Sequence, residues 1–176
     1  MQTVDWQVIV KQHGLIVWQT AYRLLGNYTD TADCFQETFI CALAVSRRQQ
    51  VRNFPALLSR LATARAIDQL RQRTRRPRAN TEPADLSAVP GCNPDPPKEL
   101  ETGELAAKLR KAIAQLPPQQ AEIFCLRYLN GMSYRLIAKQ LGIRTSAAGV
   151  SLHRARAKLR VLFAKAPGYE ESEVRS

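Results

Sequence analysis

Apolar residues along this chain recur at intervals of three and four, and no stretch alternates with a period of two, so the pattern predicts helices throughout and an all-α fold. The series Trp6, Ile9, Val10, Leu15, Trp18, Tyr22 and Leu25 predicts two helices, or one bent at Gly14, ended by Gly26. Asn27 and Tyr28 make a short turn, after which Thr29 or Asp30 is placed to cap a helix containing TADCFQETFICALA. Within it Ala32, Phe35, Phe39 and Ala42 form a core stripe. Asp33, Gln36, Glu37 and Ile40 form a second stripe, polar enough to face solvent or a partner. Residues 46–53, SRRQQVRN, lose the period and read as a basic connection. From Phe54 to Arg76 the period returns as one long helix with Leu57, Leu58, Leu61, Ala64, Ile67 and Leu70, ended by cations and by Pro77.

The second half starts near Glu99. Leu105, Leu109, Ile113 and Leu116 predict a helix, and Pro117-Pro118 both ends it and begins the next, where proline is tolerated at the first helical position. Ile123, Phe124, Leu126 and Tyr128 carry that next helix to Asn130-Gly131. Residues 133–163 then hold two helical runs, one with Ile137, Ala138 and Leu141 and one with Ala148, Leu152, Ala155 and Leu159, broken at Gly142. Ser133 is placed to cap the first and Thr145 or Ser146 the second. This is the layout of a helix-turn-helix whose second helix fits the major groove of DNA. With the core stripe inward, Ala147, Val150, Ser151 and Arg154 turn outward.

Charge sharpens the picture. The 176 residues carry a formal charge of +11, which points to a polyanionic partner, nucleic acid first. Cations concentrate in residues 1–78 and 105–165, and in the latter block the single acid is Glu122. Between the two blocks lies an acidic stretch with Pro83, Pro90, Pro94, Pro96 and Pro97. The expected organisation is therefore two small helical domains, 1–77 and 99–165, joined by a flexible linker at 78–98 that makes few packed contacts, with a frayed tail at 166–176. The C-terminal domain has four helices and contains the helix-turn-helix.

Cys34, Cys41, Cys92 and Cys125 form no CxxC pair, and His13 and His153 lie far apart, so the expectation is free thiols, no metal and no cofactor. Phosphate-binding glycine motifs, H-E-x-x-H and a His with a nearby nucleophile are all missing, which argues against an enzyme. No run of 18 apolar residues occurs, so membrane insertion is not expected and the cytoplasm is the expected location.

Three segments, YRLLGNYTDTADCFQETF at 22–39, FPALLSRLATARAIDQLRQRTRR at 54–76 and LPPQQAEIFCLRYLNGMSYRLIAKQLGIRTSAAGVSLHRARAKL at 116–159, resemble in order and spacing the extracytoplasmic-function sigma factors, the small bacterial initiation factors of the sigma-70 type. The resemblance implies two partners, core RNA polymerase and promoter DNA, and leaves open an anti-sigma factor as a third. It places polymerase binding on Asp33, Gln36, Glu37 and Ile40. It places upstream-element binding on Arg144, Ala147, Val150, Ser151, Arg154 and Arg156. Downstream-element binding falls to the first domain at Arg47, Arg48, Arg52, Asn53, Arg60, Arg65 and Arg71. Three positions depart from the family pattern: Leu57 stands where tryptophan is usual, AAGVS opens the recognition helix, and Arg135 replaces an acid. A helix-turn-helix regulator acting without polymerase is the alternative reading. It gives no account of residues 22–76.

Overall fold

The computed structural model describes residues 4–76 and 96–165, and these form seven α-helices with no strand among the described residues. The first unit holds α1 (Trp6–Leu25), α2 (Tyr28–Arg48) and α3 (Phe54–Arg75). The second holds α4 (Pro96–Gln115), α5 (Pro118–Tyr128), α6 (Tyr134–Leu141) and α7 (Thr145–Ala164). Most of the expected acidic linker and the whole expected tail lie outside the described residues.

Gly14 does not break α1. A single helix runs through it, with the ring of Phe35 3.5 Å from where a Cβ would stand, and the helix ends at Gly26 in the left-handed region, φ 72°, with the Gly26 N–H donating to the Tyr22 carbonyl. The cap of α2 is Asn27, whose Oδ1 accepts from the Asp30 N–H at 2.9 Å, and not Thr29 or Asp30. Asn27 is the residue with extended backbone, and a cap residue must be extended for its side chain to reach forward.

The buried face of α2 also differs from the expected one. Thr31, Cys34, Thr38 and Ala42 are buried, while Ala32, Phe35 and Phe39 sit at its edge, half-buried. Threonine tolerates this site because Thr31 and Thr38 donate their hydroxyls to the carbonyls four residues back. Residues 46–48, expected in a loop, form the last turn of α2, where Arg47 and Arg48 face the negative end of the helix dipole. The connection shortens to residues 49–53.

Three clusters make the interior. Val17, Ala42, Leu58 and Ala62 join α1, α2 and α3, with Trp6 and Phe54 edge-to-face at 5.9 Å. Ile123, Leu126, Ile137, Ala148 and Leu152 hold the helix-turn-helix to α5. A third cluster crosses between the units: Leu25, Ile67 and Leu70 pack with Ile113, Leu116, Cys125 and Leu159. At roughly 1.5–3 kcal/mol for each large side chain fully buried, this shared layer holds the two units side by side. The amphipathic patterns of the separate helices do not foretell it.

Candidate functional site

The first surface lies along α2. Asp33, Gln36, Glu37 and Ile40 are exposed on consecutive turns, and Ile40 leaves 66% of its surface open, far more than an isoleucine with a packing role. The four residues line a groove of about 850 Å³ between α2 and the second half of α3. Its far wall carries Arg65, whose Nη2 donates to Cys41 Sγ at 3.0 Å, and Arg73, which pairs with Asp30 and donates to the Leu25 carbonyl at 2.9 Å. Arg73 thereby ties the end of α3 to the start of α2 and the end of α1. Burial pushes the Cys34 thiol of α2 up to about 11.

The seven residues expected to hold the downstream element do not form one patch. Arg47, Arg48 and Arg52 are exposed around the α2–α3 corner. Asn53 sits among them but has a structural task, since its Oδ1 caps α3 by accepting from the Ala56 N–H at 3.0 Å. Arg65 faces the α2 groove instead. Arg60 and Arg71 point toward the second unit: Arg60 Nε lies 3.6 Å from Glu122 Oε1 on α5, and Arg71 donates to the Leu116 carbonyl. Burial against α3 raises the Glu122 carboxyl above its ordinary range, although Arg60 pulls the other way.

The third surface is the helix-turn-helix. Ser133 Oγ accepts from the Leu136 N–H at 3.2 Å and starts α6, and Gly142 ends it at φ 65°, a conformation only glycine adopts at little cost. Ile143 then folds back, its N–H donating to the Ala138 carbonyl at 3.0 Å. Helix α7 buries Ala148, Leu152, Ala155 and Leu159 and exposes Ala147, Val150 and Arg154, with Ser151 half-buried at their edge. Arg144 is exposed as the residue that begins α7, and it supplies no side-chain cap; neither Thr145 nor Ser146 is the cap residue. The first N–H groups of α7 are thus left for water or an anion. Arg156 is exposed but lies about 120° around the helix from Val150, off the face that holds the others.

Sequence reasoning missed a fourth set of residues, at the junction of the units. Asn130 Nδ2 donates to Thr20 Oγ1 at 2.7 Å, and its Oδ1 accepts from Thr63 Oγ1 at 3.3 Å. Arg23 donates to the Leu129 carbonyl at 2.8 Å, and Arg110 donates to the Arg23 carbonyl at 3.0 Å over Gly26. The one available signal was threonine at helix positions that periodicity assigns to the core.

Comparison with known proteins gives two family models in this chain: sigma-70 region 2 over residues 9–76 and sigma-70 region 4 over residues 106–159. The chain is similar to the ECF RNA polymerase sigma factor SigE of Mycolicibacterium smegmatis, 34% identical over 161 residues, which cover 92% of this chain and 62% of that protein. It therefore spans somewhat less than two thirds of that relative's length. It is also similar to the ECF RNA polymerase sigma factor SigW of Bacillus subtilis, 27% identical over 82% of this chain and 81% of that one. Among solved structures, CnrH in complex with the cytosolic domain of CnrY superimposes with a TM-score of 0.59 at 25% identity, over 92% of each chain.

Proposed function

The chain belongs to the extracytoplasmic-function branch of the sigma-70 family, and we propose that it is a transcription initiation factor that binds core RNA polymerase and directs it to particular promoters. The observation that carries this reading is the pairing, in one chain, of an exposed Asp33, Gln36, Glu37, Ile40 stripe with a helix-turn-helix whose α7 turns Ala147, Val150 and Arg154 outward. In this reading the α2 groove receives the polymerase, and α7 enters the major groove at the upstream element. Val150 and Ala147 are short apolar side chains of the kind that touch thymine methyl groups. Ser151 bonds a base edge, Arg144 holds a phosphate beside the uncapped start of α7, and Arg154, about 15 Å further along the helix, holds another.

The cations at the α2–α3 corner, Arg47, Arg48 and Arg52, are assigned to the phosphates of the downstream element, with half-buried Phe54, next after Asn53 in the sequence, as the aromatic residue on which a base could stack. The factor performs no covalent chemistry, and strand opening draws on binding energy alone. It works in the cytoplasm, and the reading leaves room for an anti-sigma factor as a third partner. A regulator acting without polymerase would leave the exposed α2 stripe without a use. Run-off transcription with purified core polymerase on a library of genomic promoters tests the assignment. A promoter-dependent transcript is expected with the chain and none without it, and an equal pattern in both reactions refutes it.

A further inference from the structure

We propose that Arg135 and Lys139 of α6 seat the DNA backbone beside the upstream element, so that α6 supplies much of the affinity while α7 supplies the base preference. The inference rests on the reading of α7 as the helix that enters the major groove. The two cations stand one turn apart on the exposed face of α6, and with Ile143 and Thr145, the first residue of α7, they line a shallow, open cleft of about 590 Å³. Ala147, on the reading face, is two residues further on, so the cleft lies beside the end of α7 whose residues meet base edges. Residues 134–164 hold seven Lys and Arg and no Asp or Glu, and among the described residues no carboxylate stands within ion-pair distance of Arg135 or Lys139. Their charge is left for an anion from outside the chain.

Arg135 is also misplaced for stability. It is the second residue of α6, where the positive end of the helix dipole disfavours a cation, and Lys139, four residues on, is a like charge on the same face. Lys139 has a local account, since it lies in the last turn and complements the negative end of the helix. Arg135 has none. A cation that stands where an acid would serve the helix better is accounted for by a phosphate that takes up its charge in the complex. The need for one is set by α7: between Arg144 and Arg154 its reading face carries Ala147, Val150 and Ser151, side chains too short to reach past the bases to a phosphate. A helix-turn-helix lays its first helix across the backbone while the second enters the groove, and phosphate contacts fix the register in which short side chains meet base edges.

Core polymerase assembled with the full chain tests this on promoter DNA. Arg135→Ala combined with Lys139→Ala should make the salt slope of binding shallower by about 2, so that the affinity lost between about 50 and 200 mM salt shrinks about tenfold, with the ranking of upstream-element variants unchanged. A series of duplexes with single phosphates replaced by neutral methylphosphonates should contain a position where the replacement weakens the wild type and leaves the double variant indifferent. Arg135→Glu should raise the melting midpoint of the free chain by about 1–3 °C and yet weaken binding more than Arg135→Ala, opposite movements that a purely structural role does not produce. An unchanged salt slope in the double variant overturns the proposal, as does a methylphosphonate profile identical for the two chains. The reading beneath it fails separately, when the wild-type assembly yields no promoter-dependent run-off transcript.

Discussion

Asn130 and Thr20 are 110 residues apart in the sequence and share a hydrogen bond of 2.7 Å, with Thr20 1% exposed. The bond joins the α5–α6 turn to the C-terminal third of α1, and Thr63 adds a second at 3.3 Å from α3. Thr20→Val keeps the volume and removes the acceptor, leaving an Asn130 donor without its partner. It should cost about 1–2 kcal/mol in urea unfolding. Asn130→Ala should cost a similar amount, and the double variant should cost less than the sum because both remove the same bond. Additive losses would show that the two side chains do not act on each other.

Charge reversal at Asp33 and Glu37 should abolish co-purification with core polymerase. Both side chains are exposed, so the substitutions should change stability by no more than about 0.5 kcal/mol and leave the helical circular-dichroism signal intact. Binding that survives the double reversal would remove α2 from the polymerase interface.

On α7, Arg154→Ala should weaken binding about equally on all promoter variants and lower the salt slope by about 1, as expected for one lost phosphate contact. Val150→Ala or Ser151→Ala should instead alter the preference among upstream-element variants. Val150 is 50% exposed in the free chain, so its effect cannot come through the core. Titrations over a promoter panel at several salt concentrations separate the two, and a change in base preference with Arg154→Ala would reverse the assignment of faces.

Gly149 lies within the unbroken recognition helix, and a Cβ built there meets nothing within 4 Å. Among the described residues no packing requires glycine there. Gly149→Ala should therefore raise stability by about 0.5–1 kcal/mol, the ordinary helix-propensity gain. A simultaneous fall in promoter affinity, read by titration, would mean that DNA backbone comes close at this position; unchanged affinity would leave the residue without a role there.

Glu122 gives a pH dependence. Burial holds its carboxyl above the ordinary carboxylate range, Asp68 adds to the shift, and Arg60 opposes it. A carboxyl raised in the folded state favours the protonated form, so its contribution is full below the unfolded value, about 4.3, and is lost as pH rises through the folded value. Glu122→Gln removes that loss. Thermal melts at matched pH should show the variant gaining on the wild type as pH rises above the ordinary glutamate range, and a gap that stays constant as pH rises would mean that Glu122 is not desolvated.

The sequence by itself determined the helices, their inward faces on α7 and the turn at Gly142, because each rests on short-range physics. A period near 3.6 sets which residues share a side, and a glycine with positive φ ends a helix wherever it lies. That is why Ala148, Leu152, Ala155 and Leu159 were legible as core and Val150 and Arg154 as surface. Caps were less legible, since Asn27 and Thr29 are both good cap residues and only the backbone path selects between them. Tertiary structure alone decided where the polar side chains of α3 find their partners. Arg60, Arg65 and Arg71 read alike along one basic helix, yet they face Glu122, Cys41 and the Leu116 carbonyl in turn. Glu122 and the Leu116 carbonyl are brought in by the apolar layer between the units, and Cys41 by the packing of α2 on α3, contacts between residues far apart in sequence that no local periodicity encodes.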